Sequence, residues 1–216
     1  LPSLPSRRMI PPHYLPPRLH LASRSPRRRE LLKQIGVPFD MLPFRSSPRL
    51  DAAVDETAFP DEDPSVYVER IARNKAEFGR RIVSFRQLPN HAVLAADTTL
   101  DLDGQLIGKP RDTREAEEIL HRLSGRTHRV LTAVALAMPG QLDRCLSISE
   151  VRFRKLSTEE IRRYVATGEP MDKAGAYGIQ GRAGIFVEHL SGSYTSVMGL
   201  PVCETALLLR RRGFSI

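Results

Sequence analysis

From residue 18 onward, strand-like runs alternate with helices that carry their own start and stop residues, a pattern that calls for a sheet with helices packed against it. Residues 18–22 alternate as a short strand. Ser25 then caps a helix with Pro26 in its first position, Leu31, Leu32 and Ile35 on one side, and Gly36 at its end. Residues 64–84 form a second helix, with Val68, Ile71, Lys75, Phe78 and Ile82 at helical spacing. Residues 92–102 read as an apolar strand closed by an Asp103-Gly104 hairpin turn. Asp112 with Glu115, and Ser157 with Glu160, are capping-box starts for two more helices, which stop at Gly125 and Gly168. Between them, residues 127–138 and 142–156 flank Pro139-Gly140 as a hairpin long enough to pass from one lobe to another. A short strand at 185–188, a turn at 191–194 and a closing helix at 201–212 complete the pattern. Long hairpins among capped helices predict a mixed α/β sheet rather than an all-parallel one. No repeat or linker divides the chain after residue 18, so residues 18–216 are expected to be one domain.

The first 17 residues differ in kind. They hold six prolines and no acidic residue, which predicts an extended, disordered leader. No apolar run approaches the roughly 20 residues of a transmembrane helix, so a soluble protein without a membrane partner is expected. Cys145 and Cys203 lie far apart and match no zinc-ligand spacing, which suits a reducing, cytoplasmic setting. The formal net charge of +8 raises the question of nucleic acid. Most of that excess sits on Arg7, Arg8 and Arg18 in or beside the leader and on Arg210, Arg211 and Arg212 at a helix end. With no Trp and few aromatics to stack bases, polyphosphate substrates account for the remaining cations better than a nucleic-acid partner does.

Several residues break the local rules. Arg27, Arg28 and Arg29 occupy a helix's first turn, against its dipole, where an anion would find cations and free N–H groups; a solvated basic face is the alternative. Lys75 interrupts an apolar stripe, and either snorkels to water or reaches into a cleft. Asp97 follows five small apolar residues, where a carboxylate is expensive to bury unless paired, metal-bound or at an open strand end. The returning segment brings Lys109 toward it, so a purely structural Asp97–Lys109 pair is one outcome. Residues 172–181 hold too many glycines for a helix or central strand and predict an irregular loop, with Asp172, Lys173 and Gln180 as its polar members.

Four segments together resemble the Maf family: Ser23-Arg-Ser-Pro-Arg27-Arg28-Arg-Glu-Leu-Leu, Ala96-Asp97-Thr98 with Gly108-Lys109-Pro110, Leu123-Ser-Gly-Arg-Thr-His128, and residues 172–181 with Gly199-Leu-Pro. They keep the family's order and span residues 19–209. The resemblance implies an elongated mixed α/β fold with two lobes around a central cleft, related to inosine-triphosphate pyrophosphatases. It implies hydrolysis of a nucleoside triphosphate to monophosphate and pyrophosphate, dependence on Mg²⁺ or Mn²⁺, and a homodimer. By position, Asp97 matches the catalytic proton acceptor, and Arg27, Thr98 and Gln180 the substrate-choice positions. Ser23, Arg28, Lys75 and Lys109 fall on phosphate-binding positions, and Glu56 joins Asp97 as a metal-binding acid. The loop resembles the branch acting on dTTP and UTP rather than the sibling acting on 7-methyl-GTP. Residues 43–53 are extra relative to typical members.

The residue types suit that chemistry. Asp97 as base would activate water, two carboxylates would offer hard oxygens to a divalent cation, and Arg and Lys would hold the leaving pyrophosphate. The amide of Gln180 can meet the imide edge of thymine or uracil with both a donor and an acceptor. A non-catalytic nucleotide sensor is the competing class, and the placement of Asp97 opposite phosphate-binding cations argues against it.

Overall fold

The computed structural model describes residues 17–42 and 54–216; the expected leader, apart from Pro17, and the extra residues 43–53 lie outside them. A seven-stranded mixed sheet runs through the molecule. Its strands are β1 (Leu19–Leu21), β2 (Phe39–Met41), β3 (Ala92–Leu102), β4 (Gln105–Ile107), β5 (Thr127–Met138), β6 (Gln141–Phe153) and β7 (Val187–Ser191). The order is β2-β1-β3-β5-β6-β7, with β4 paired to β3. β1 is parallel to β2 and β3, and the other pairings are antiparallel. The expected mixed sheet is therefore present. The chain returns in parallel only through the crossovers that carry α1 (Pro26–Gln34) and α2 (Pro64–Phe85).

Side-chain alternation along β3 assigns the layers. Val93 and Ala95 pack under α2 with Val68, Ile71 and Ala72. Leu94 and Ala96 face the opposite side, against Leu31 and Leu32 of α1 and Leu208 and Leu209 of α6 (Val202–Arg210). Each fully buried aliphatic of this kind contributes about 1.5–3 kcal/mol relative to an exposed one. α2 approaches closely because residue 79 is glycine: a Cβ there would stand 2.7 Å from Val93 Cγ1. Beyond Thr99 the core changes. Leu100 and Leu102 join a separate cluster with α3 (Thr113–Leu123), α4 (Thr158–Val165), Phe153 and Phe186. The polar residues Asp97, Thr98 and Thr99 thus sit where one core gives way to the other.

The starts of α1, α3 and α4 follow the capping residues read from the sequence, and three details differ from expectation. Ser25 accepts from Arg28 N, and Ser157 and Glu160 complete a reciprocal capping box. At α3, Asp112 caps Glu115 N, but the Glu115 carboxylate reaches back to Arg111 N and its guanidinium instead of Asp112 N. Residues 185–188 are not one strand. Arg182–Phe186 is a 3-10 segment, and β7 begins only at Val187. Ser193 does not end a mere turn but caps α5 (Tyr194–Met198), which stops at Gly199 in the left-handed region. Residues 172–181 are irregular as expected, folded into short 3-10 turns. Among the described residues, no helix is long and apolar enough to cross a membrane.

Candidate active site

A cleft of about 490 Å³ opens at the junction of the two cores. Its floor is the middle of β3. Asp97 stands opposite Ala133 of β5 and is only 7% exposed, and Thr98 stands opposite Thr132. A carboxylate there needs a cation, and the cation comes from α2. Lys75 runs its stem along the buried face of the helix and places Nζ 2.7 Å from Asp97 Oδ1 and 2.8 Å from Glu56 Oε1. The partner of Asp97 is therefore Lys75. The alternative of a structural pair with Lys109 does not form, because Lys109 is exposed on the cleft rim without a partner among the described residues. Glu56 is held from behind by its backbone carbonyl, which accepts from Tyr67 Oη at 2.9 Å.

Burial pushes the Asp97 carboxyl above its ordinary range, against the opposing pull of Lys75 and Arg28. Burial also pushes the Tyr67 phenol up to about 12, helped by the negative charge of Asp97. The same desolvation lowers the Arg28 guanidinium from its usual value while Asp97 draws it back. These shifts mark a partly dehydrated site in which charges act at short range.

The wall formed by α1 carries Arg28 and Arg27. Arg28 donates from Nε to Gly199 O at 2.7 Å, from Nη2 to Thr98 Oγ1 at 3.1 Å and from Nη1 to Ser23 Oγ at 3.4 Å. Ser23 is itself buried and accepts from Ser25 N, so it shapes the loop as well as touching the arginine. Arg27 reaches across the cleft to Asp172 Oδ2 at 3.3 Å, joining the first helix to the glycine-rich loop. Gln180 of that loop lines the same cleft, exposed, and its amide has no partner among the described residues.

Ser23, Arg27, Arg28, Glu56, Lys75, Asp97, Thr98, Lys109 and Gln180 all line this one cleft. Three further contributors were not given roles by sequence reasoning. Lys173 lines the cleft and anchors its ammonium on Glu169 O at 2.6 Å. Tyr177 closes the apolar end and is hydrogen-bonded to His128 Nε2 at 2.8 Å. Gly199, whose carbonyl holds Arg28, carried a signal in the Gly199-Leu-Pro segment; the short helix before it carried none.

A divalent cation would find two converging carboxylates here, since Asp97 and Glu56 already share one ammonium. Among the described residues no group of three or more His, Cys, Asp or Glu forms a metal cage. Two carboxylates would suit a hard divalent cation that completes its shell with further oxygen ligands.

Comparison with known proteins follows the same lines. Residues 18–212 match the family described as Maf-like protein. The dTTP/UTP pyrophosphatase of Dechloromonas aromatica is 62% identical over 197 residues, covering 91% of this chain and 98% of that protein. The protein of the same name from Aromatoleum aromaticum is 63% identical over 200 residues, covering 92% and 97%. Among solved structures, the Staphylococcus aureus Ham1 protein matches at 17% identity with a TM-score of 0.44, over 63% of this chain and 71% of that one.

Proposed function

The chain belongs to the Maf family, and from that membership we propose that it hydrolyses dTTP and UTP to the monophosphate and pyrophosphate. The observation that carries the reading is the opposition, within one cleft, of the buried Asp97 and the exposed Glu56 to Arg28, Lys75 and Lys109. Relatives above 60% identity over nine-tenths of the chain carry the corresponding name.

In this reading Asp97 accepts the proton of the attacking water. The anhydride bond between the α and β phosphates breaks, and its electron pair leaves with pyrophosphate. Ser23, Arg28, Lys75 and Lys109 hold phosphate oxygens, Arg28 as a fork and the lysines as point charges. Asp97 and Glu56 would hold Mg²⁺ or Mn²⁺, which neutralises charge on the reacting phosphates when bound. Lys75 gives up part of its contact with the carboxylates as phosphate arrives. Arg27, Thr98 and Gln180 discriminate among bases; the Gln180 amide, without a partner among the described residues, offers a donor and an acceptor to an imide edge. Residues 18–216 act as one domain, and by family likeness the enzyme is a cytoplasmic homodimer.

The test is pyrophosphate release with Mg²⁺ or Mn²⁺ across dTTP, UTP, CTP, GTP and 7-methyl-GTP, comparing the parent protein with Asp97→Asn. Turnover favouring dTTP and UTP, reduced at least a hundredfold or so by the substitution, supports the reading. Preference for 7-methyl-GTP, or tight binding without turnover, overturns it.

A further inference from the structure

Beneath the cleft floor, outside its lining, lies Thr132 of β5, with no exposed surface. Its hydroxyl donates to the carbonyl of Ser196 in α5 at 2.8 Å. A threonine hydroxyl has a single proton. At the 3.0 Å contact between Thr132 Oγ1 and Thr98 Oγ1, Thr132 is therefore the acceptor and Thr98 the donor. The Thr98 oxygen is left with lone pairs, and one of these accepts from Arg28 Nη2. One chain of hydrogen bonds thus runs from Arg28 through Thr98 and Thr132 to Ser196 O, and its direction is set at the buried end.

The same buried end controls a second anchor. Ser196 O also accepts from Gly199 N at 2.8 Å, and Gly199 O accepts from Arg28 Nε at 2.7 Å. A guanidinium has five N–H groups. Three meet Gly199, Ser23 and Thr98, leaving two, one on each terminal nitrogen, without a partner among the described residues. Two N–H groups on neighbouring nitrogens are what a bidentate grip on phosphate needs.

We propose that Thr132 is a positioning residue for nucleotide binding: its hydroxyl fixes Thr98 as an acceptor toward Arg28 and so holds the two free N–H groups of that arginine in place for phosphate oxygens. The proposal rests on the reading of Arg28 as a phosphate ligand. Without the Thr132 hydroxyl, the Thr98 proton loses its acceptor and can turn toward Arg28, where donor meets donor. Ser196 O loses one of its two donors at the same time. The arginine then samples other orientations, and binding weakens in ground and transition states alike.

The experiment compares Thr132→Val, Thr132→Ala, Thr132→Ser and Arg28→Lys, measuring kcat and KM for dTTP and inhibition by inorganic pyrophosphate. Removing the hydroxyl is expected to raise KM and the pyrophosphate inhibition constant roughly tenfold, with kcat within about threefold of the parent. Thr132→Ser is expected to stay near the parent. Serine and alanine at this position both lack the methyl group and differ only in the hydroxyl, so this pair decides the matter even if the valine variant fails to fold. Equal values for serine and alanine overturn the role of the hydroxyl. An elevated KM in Arg28→Lys with unchanged values in the three Thr132 variants overturns the proposal but leaves Arg28 as a phosphate ligand. An unchanged KM in Arg28→Lys overturns the reading of Arg28, and the proposal with it.

Discussion

Lys75 Nζ lies 2.7 Å from Asp97 Oδ1, and the same nitrogen lies 2.8 Å from Glu56 Oε1, so one ammonium from α2 holds these two acids of the cleft together. Burial raises the Asp97 carboxyl above its ordinary range, and Lys75 is the largest influence pulling it back. A base must be ionised to work. Activity should therefore fall, as pH is lowered, at a pH above the usual carboxylate range. In Lys75→Met the counter-pull is lost and that acid limb should move further toward neutral. A kcat/KM profile against pH checks the direction, and kcat/KM at its plateau should drop by roughly a hundredfold through the lost cation. An acid limb that stays put in Lys75→Met would separate Asp97 from the rate-determining proton transfer.

Gln180 projects from the glycine-rich loop without a partner of its own among the described residues. Truncating an exposed, unpartnered side chain should alter stability by no more than about 0.5 kcal/mol. A site that recognises an imide through hydrogen bonds loses discrimination when they go. Gln180→Ala is expected to shrink the ratio of kcat/KM for dTTP over GTP by roughly tenfold or more, with an unchanged melting temperature. An unaltered ratio would remove Gln180 from base recognition.

How far these features could be read from the chain depended on whether their causes were local. Helix starts at Ser25, Asp112 and Ser157 rest on side chains bonding backbone within a turn, and all three residues cap, although the expected box at Asp112 lacks its Glu115 half. Asp97 was conspicuous because a carboxylate ending a run of small apolar residues breaks a burial rule in its own strand. Its partner was not legible: Lys75 interrupts an apolar helical stripe, Lys109 returns on the segment after the hairpin turn, and only the packing of α2 across β3, held close by Gly79, selects Lys75. α5 escaped notice because five residues between Ser193 and Gly199 are too few to show a period. The start of β7 slipped because Ile185 and Phe186 are apolar enough for a strand yet end a 3-10 segment, with Phe186 packed on Phe153 and Tyr164. Thr132 is a polar residue within a buried stretch of β5. Its hydroxyl gains meaning only once Ser196, 64 residues later, lies beneath it.

His128 is buried under the apolar end of the cleft, edge-on to Phe153 and Tyr177. Its Nδ1 has no hydrogen-bond partner among the described residues, so an imidazolium would bury an unpaired N–H. Burial accordingly pushes its pKa down to about 4. An unfolded chain takes up this proton near pH 6.5, whereas the folded one resists until about pH 4. Proton uptake therefore favours unfolding across that window. The contribution of a neutral His128 is fully present above about pH 6.5 and should be lost on acidification, by up to roughly 3 kcal/mol at pH 4. Denaturant melts between pH 4 and 7, on the parent and on His128→Phe, measure this. The phenylalanine variant should lose about one proton's worth of slope; identical slopes would place the acid sensitivity elsewhere.

Gly175 joins the loop to the strand floor at a point where no other residue fits. Its φ is +73°, a Cβ there would stand 2.1 Å from Leu100 Cδ2, and its N–H donates to Gly108 O at 2.9 Å. Leu100 is itself buried in the core shared with α3 and α4, so it has little room to retreat. Gly175→Ala combines a left-handed backbone penalty with overpacking, together about 2–4 kcal/mol. In a domain of this size that corresponds to a melting temperature lower by roughly 5–15 °C. The damage should also reach catalysis. The bond to Gly108 carries Lys109 to the rim, and residues 172–180 begin at the contact between Asp172 and Arg27. A variant that melts lower should therefore also show a raised KM for dTTP at temperatures where it is fully folded. A lowered melting temperature with an unchanged KM would confine Gly175 to the core and show that the loop keeps its place without it.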